Sequence, residues 1–431
     1  MTMSFCSFAA VNDNTTISFD VRTRFNDYSW DTPAVDQLNN DNHFENLIGL
    51  NLDGSVADGM TFHLRLEKFG YFNSTGGDWG MGRGVLSQND TDTRTYLAYV
   101  EAQDFFGWAD YMRVGRQSLQ IGTFIDGMAD GLVFKKDVPE WSKAVFHFGG
   151  VALDGADADL NNDNDGLSAW FVDCQLEITE DLMGDFYYVN SKNPFASVTT
   201  ANLNRAQAAM MDGFAGQYGW AGFGLTYDGL PDVVLYGEAV LSKWEHSLRV
   251  DGDERDGDTA LVLGATWKAA DKLVVGSKYM NVEDYFFAPT NAAGNNIFDT
   301  DTYLNDDVEL WNVAGYRYDF NSWVTSLDYQ LTDKVALTGI YETVNDNRTV
   351  VVDDDRAIFT GKVAYQYNDN AKITLSARHV DVAENTTTAV VSRIANGAAI
   401  YGNAGGANTG AAGEVNVDDV NTYRLELSIN F

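Results

Sequence analysis

A chain of 431 residues can hold two or three soluble domains or one large sheet closed on itself, and its 5 Pro against 40 Gly, with 21 Tyr, 25 Phe and 10 Trp, favours strands over helices. Lys plus Arg is 28 against 63 for Asp plus Glu, a formal net charge of −35, so nucleic acid is excluded as a partner: phosphate binding needs a basic footprint. The acids sit in short Asp/Asn/Gly segments between aromatic runs, which argues against a disordered chain, and two cysteines, Cys6 and Cys174, build no disulfide framework.

At the front, "MTMSFCSFAA" reads as the remnant of a secretory signal over 1–10, an apolar stretch ending in small residues, which leaves 11–431 as one domain. No run of about 18 apolar residues follows, so a helical anchor is not expected. The next segment sets a period of two: Ile17, Phe19, Val21 and Phe25 alternate with Ser18, Asp20, Arg22 and Arg24. The same alternation gives eighteen strands in chain order, at 15–25, 42–53, 60–70, 92–103, 108–117, 130–136, 143–150, 167–178, 183–190, 214–227, 233–243, 259–269, 272–282, 320–331, 335–344, 356–367, 372–382 and 420–431. The phase of 92–103 and of 183–190 is ambiguous, and the strand-like run 309–320 widens the range to between 16 and 20.

The connections alternate in length. Tight turns at 53–59, 104–107, 179–181, 269–272, 332–334 and 368–370 interleave with long loops at 26–41, 73–90, 151–166, 191–212, 243–258, 284–308 and 384–418. Segregation of loop length by parity is what an up-and-down meander shows when its two rims face different compartments. A meander in lipid must close, because every backbone N–H and C=O has to be paired within the structure. The expected fold is therefore all-β: a transmembrane antiparallel up-and-down barrel of about 18 strands. Trp108, Tyr227, Trp267, Trp323, Tyr329, Tyr341 and Tyr365 are placed for the aromatic girdles that meet membrane lipid.

Positions opposite the apolar set face the lumen. They carry Arg22, Arg24, Arg65, Arg113, Arg378 and Arg424 with Lys268, Lys278 and Lys362, against a similar number of acids that include Glu67, Glu238 and Glu426. The negative charge of the chain is thus expected in the rims. A bore of mixed sign orients dipolar solutes, whereas a single-sign ring filters ions. Passage of small polar or zwitterionic solutes fits such a bore, and pairing of these charges across neighbouring strands fits it equally. Arg22 and Arg24, two like charges on one strand face, need acidic partners or a translocating anion.

In the loop 154–166, Asn161, Asp163 and Asp165 followed by Gly166 resemble the front half of a calcium loop, with alternate oxygens around a glycine turn. The twelfth position is Val172 rather than Glu, so an EF-hand is rejected; weak loop-bound calcium and a solvated acidic loop both remain, and no other cofactor is expected. The five histidines are scattered, no HExxH or CxxC spacing occurs, and "GMGRG" (80–84) lacks the strand-to-helix setting of a nucleotide loop. An enzyme is not expected.

The last strand, "YRLELSINF", places Tyr423, Leu425, Leu427, Ile429 and Phe431 on one face and Arg424, Glu426, Ser428 and Asn430 on the other. It resembles the terminal strand of Gram-negative outer-membrane proteins, whose final Phe is read by the barrel-assembly machinery. The resemblance implies an outer-membrane porin that passes small hydrophilic solutes by diffusion and needs no cofactor. A second segment, "MRVGRQSLQIG" (112–122), is similar to a strand of the alginate-export and related 18-stranded porin families. That resemblance implies a constriction at Arg113, Arg116 and Gln117, with "TFIDGMADG" folding inward after it. A polysaccharide export channel and a plugged or partner-filled structural barrel stand as alternatives, and the sequence sets no oligomeric state.

Overall fold

The computed structural model describes residues 15–31, 40–72, 93–141, 143–153, 167–192, 216–246, 259–286, 318–346, 356–382 and 419–430. They form eighteen strands: β1 (Thr15–Asp31), β2 (Asn40–Ala57), β3 (Met60–Phe72), β4 (Thr93–Phe105), β5 (Ala109–Ile121), β6 (Ile125–Val138), β7 (Ala144–Leu153), β8 (Leu167–Thr179), β9 (Leu182–Lys192), β10 (Gly216–Leu230), β11 (Val233–His246), β12 (Thr259–Ala270), β13 (Leu273–Phe286), β14 (Tyr318–Thr332), β15 (Val335–Asp346), β16 (Arg356–Asn368), β17 (Ala371–Val382) and β18 (Asp419–Asn430). Each pairs antiparallel with its neighbours in sequence, and β1 pairs with both β2 and β18, which closes the sheet and removes its edges. At the seam Val21 lies opposite Ile429 and Arg24 opposite Glu426, so the apolar and polar faces of the first and last strands coincide. A slip of one residue would turn every side chain of the last strand to the wrong medium.

On one rim the connections are turns of a few residues, at 58–59, 106–108, 139–143, 180–181, 231–232, 271–272, 333–334 and 369–370. The alternation of short and long connections holds around the ring, with one exception: β5 and β6 are joined by residues 122–124 alone.

Outward positions are apolar. Leu263, Leu327, Leu375 and Leu425 stand in the middle of their strands and are about half exposed on a surface that suits hydrocarbon. Trp108, Tyr227, Trp267, Trp323, Tyr329, Tyr341 and Tyr365 are also exposed, as girdle residues must be. Beside the short turns Trp108 packs edge-on against Phe134 and Phe148, with ring centroids 5.2 and 5.5 Å away.

The two strands of ambiguous phase have different causes. In β4 the register shifts beside Arg65 and Leu66, so that Leu97 faces Arg65 and Thr95 faces Leu66, and the extra residue, Tyr96, breaks the alternation. In β9 the alternation is intact, but both faces carry large side chains: Phe186 and Tyr188 are exposed on the outside, and Tyr187 and Val189 are buried on the inside. Buried inward residues recur on the following strands at Trp220, Val240, Val262, Met280 and Val282. The inner wall from β9 to β13 therefore carries a packed apolar level rather than a wholly wet one.

Candidate functional site

The site is the lumen, and its two sides differ. From β17 through β18 and β1 to β5 the inward positions are charged or polar; on β8 to β13 one level is apolar and buried, at Phe171, Tyr187, Trp220, Val240, Val262 and Met280, with Asp173 and Glu238 buried beside it and Lys268 and Lys278 less buried on β12 and β13.

On the polar side the sequence alternation presents one charged residue every second position, and the register brings residues from neighbouring strands to one level. Asn51 on β2 lies between Ser18 on β1 and Arg65 on β3. Arg65 is the hub: its Nη2 donates to Asp20 Oδ2 at 3.0 Å, its Nη1 to Asn51 Oδ1 at 3.1 Å and its Nε to Glu67 Oε1 at 2.8 Å. Its guanidinium also lies 5.7 Å from the ring of Tyr96. Glu67 is buried, and a buried carboxylate of this kind is tolerable because a charge-assisted bond accompanies it. At the seam Glu426 receives Arg24 Nε at 2.5 Å and Ser428 Oγ at 2.8 Å, with Arg22 Nε at 3.7 Å. Arg22 and Arg24 thus share one acid, and the Arg22 side chain stays 45% exposed to the lumen. Arg424 stands next to Ser376 on β17. Arg378 is buried and donates from Nε to Thr360 Oγ1 at 3.2 Å.

Further along, Arg113 on β5 donates from Nε to Glu101 Oε2 at 2.5 Å and lies over the rings of Tyr111 and Tyr99, 4.6 and 5.3 Å from their centroids. His63 stacks on Tyr99 and bonds through Nδ1 to Asp53 at 2.7 Å. The side is thus a row of cations, with acids beside Arg22, Arg24, Arg65 and Arg113 and a hydroxyl beside Arg378, partly open to water.

The second component is the hairpin of β5 and β6. Among the described residues, pairing of β4 with β5 reaches Ala98 and Arg116 and pairing of β6 with β7 reaches Ala129 and Leu153, while β5 and β6 remain paired to Ile121 and Ile125. Beyond those points the two strands leave the wall. The departure is prepared at Gly115, whose φ is +121° and whose cross-strand partner is Gly131. A Cβ at Gly115 would overlap the Ala98 carbonyl and approach Cα of Tyr99 to 3.0 Å, so only glycine permits the crease.

The tip crosses to β9, β10 and β11. The backbone N–H of Thr123 donates to both oxygens of Glu238, at 2.8 and 3.1 Å, and the Tyr187 hydroxyl donates to Oε1 of the same carboxylate at 2.6 Å. Gly122, with φ of +58°, lies against Glu238 and the Tyr187 ring so closely that a Cβ would overlap both. Ile121 and Phe124 on either side are fully buried.

The sequence-derived residues distribute as follows. Arg22, Arg24, Arg65, Glu67, Arg113, Arg378, Arg424 and Glu426 share the polar side. Glu238 stands on the opposite side under the hairpin tip. Arg113 and Gln117 lie on one face of β5, and Arg116, an odd number of residues from Arg113, lies on the other face, where its Nη1 meets Asp130 Oδ2 at 2.9 Å. Gln117 is buried, its Nε2 donating to the Gly131 carbonyl at 3.3 Å. Asn161, Asp163, Asp165 and Phe431 lie outside the described residues. Sequence reasoning overlooked Tyr187, Gly122 and Thr123 as contacts of Glu238. The available signal was the apolar residues at inward phase in β9 to β13, which a water-filled bore does not call for.

No protein-family model matches this sequence, and no curated protein matches it. Among solved structures the fold is similar to Pseudomonas aeruginosa OpdQ, with a TM-score of 0.59 at 12% identity over 97% of each chain. It is similar to P. aeruginosa OccK8 (OprE), with a TM-score of 0.59 at 11% identity over 98% of this chain and 99% of the other. Acinetobacter baumannii OccAB4 gives a TM-score of 0.58 at 13% identity over 98% of this chain and all of the other. The chain shares with these outer-membrane porins the 18-stranded barrel fold.

Proposed function

We propose that the protein is a channel of the Gram-negative outer membrane through which small hydrophilic solutes diffuse passively. The observation that carries this reading is the division of the lumen: a packed side that seats the β5–β6 hairpin, and a polar side of paired charges left open to water. Arg22, Arg24, Arg65, Glu67, Arg113, Arg378, Arg424 and Glu426 line the passage in this reading. Because each arginine has an acid or hydroxyl beside it, the passage offers a transverse field rather than a net positive one, which suits solutes carrying both signs or strong dipoles. A polysaccharide exporter for polyanions would need a markedly basic bore, and the pairing of Arg24 with Glu426 and of Arg65 with Asp20 and Glu67 argues against it.

The outward apolar belt supplies the lipid-facing surface, and the terminal strand with Phe431 is the segment for the barrel-assembly machinery. No cofactor enters this function, and weak calcium binding by Asn161, Asp163 and Asp165 is no part of it.

Reconstitution of the purified barrel into a planar bilayer under a salt gradient tests the reading. Stepwise currents with a reversal potential near zero are expected. Silence of an inserted, folded barrel would overturn it in favour of a plugged or partner-filled barrel, and strong anion selectivity would favour the exporter.

A further inference from the structure

A free two-stranded ribbon is marginally stable in water, and beyond Arg116 and Ala129 the β5–β6 hairpin has no backbone pairing to β4 or β7 among the described residues. Something other than the wall must hold it in the lumen. Two kinds of contact are seen among the described residues. One is apolar, the burial of Ile121 and Phe124; it is non-directional and sets no position by itself. The other is Glu238, itself buried, whose carboxylate gathers the Thr123 N–H and the Tyr187 hydroxyl from elements 115 and 51 residues away in sequence. These bonds are directional and charge-assisted, which makes them stronger than neutral ones. The glycine at 122 and the glycine at 222, where a Cβ would overlap the Tyr187 ring, clear the space that lets the three groups meet.

We infer that Glu238 is the positioning residue of the passage: acting through Thr123, it pins the hairpin tip to the β9–β11 side and so sets the width left beside the charged side. The inference deepens the channel reading and rests on it for its effect on current. Its structural half, that the carboxylate holds the tip, is independent of conduction. Neutralising Glu238 leaves the barrel wall paired and releases the ribbon.

The test uses the whole folded barrel in two readouts. In a background with Cys6 and Cys174 replaced by alanine, Ile121→Cys places a thiol at the buried tip, and its rate of modification by a water-soluble maleimide reports how often the tip lifts. With Glu238→Gln added, modification should be about tenfold faster, the factor expected when one charge-assisted acceptor becomes neutral. Barrel integrity, read as heat-dependent gel mobility, should be unchanged. In planar bilayers Glu238→Gln should raise the unit conductance and add flicker between two levels, whereas a merely structural residue would lower yield and leave conductance alone. If Glu238→Gln fails to assemble, Tyr187→Phe carries the same test, with a smaller acceleration. Modification at the wild-type rate in both variants would overturn the positioning role. Faster modification in a barrel that passes no current would uphold the latch and overturn the channel.

Discussion

The crease at Gly115 can be tested with one substitution made at two places. Gly115→Ala adds a methyl group at a φ of +121°, where it overlaps the Ala98 carbonyl and sits 3.0 Å from Cα of Tyr99, against 3.4 Å for ordinary contact. The strands β4 and β5 must part by more than the 0.4 Å separating those two distances, because the carbonyl oxygen is nearer still. The backbone conformation costs an L-residue about 1–3 kcal/mol. Weakening the two ladder bonds nearest the site costs about 1 kcal/mol each. The sum is about 3–5 kcal/mol. Gly361→Ala on β16 adds the same atom where nothing lies within 4 Å, and the loss of unfolded-state freedom makes it neutral to about 1 kcal/mol stabilising. Urea unfolding from lipid vesicles, followed by tryptophan fluorescence, should separate the two variants by the sum of these amounts, with Gly115→Ala the weaker. Equal midpoints would refute the claim that the hairpin leaves the wall through a glycine-only crease.

Four further variants probe the polar face, the apolar face and the last residue. Arg65→Ala removes the hub that bonds Asp20, Asn51 and Glu67; the freed acids should move the reversal potential toward cation selectivity, measured under a salt gradient. Leu425→Arg places a charge on the lipid side of the last strand, where Leu425 is half exposed, and should cost about 2–4 kcal/mol in vesicle refolding if it lies near the bilayer midplane. Thr374→Arg, inward on the neighbouring strand opposite Glu426, should fold like the parent and change selectivity instead. Deleting Phe431 should lower the yield of assembled barrel in cells more than the unit conductance of the barrels that form, as measured by quantitative gel mobility and bilayer recording.

Much of the wall was legible from the sequence, because a barrel in lipid couples local pattern to global position. Every second side chain must face hydrocarbon, so the alternation in Tyr423, Leu425 and Leu427 states at once which way Arg424 and Glu426 point. The alternating loop lengths carry the topology, and closure follows from the demand that no backbone group be left unpaired in the membrane. The strand whose phase stayed ambiguous, β9, is where the lumen is not filled by water: Tyr187 and Val189 are packed inside while Phe186 and Tyr188 face out, so both faces carry large side chains. Tyr96 hid for a simpler reason, since one bulged residue reverses the phase without altering composition.

The residues themselves therefore determine that the chain is an antiparallel barrel with a charged interior, since period and polarity are properties of single strands. The division of that interior belongs to the tertiary structure. Residues 117–128 leave the wall, and Glu238 meets Thr123, through contacts between positions 115 apart, for which no local pattern exists. The resemblance that grouped Arg113, Arg116 and Gln117 marked the right hairpin, but the odd spacing within it sends Arg116 to Asp130 on the other face. Strand polarity is decided by the medium each face meets. The place of the hairpin tip is decided by a carboxylate on a strand distant in sequence.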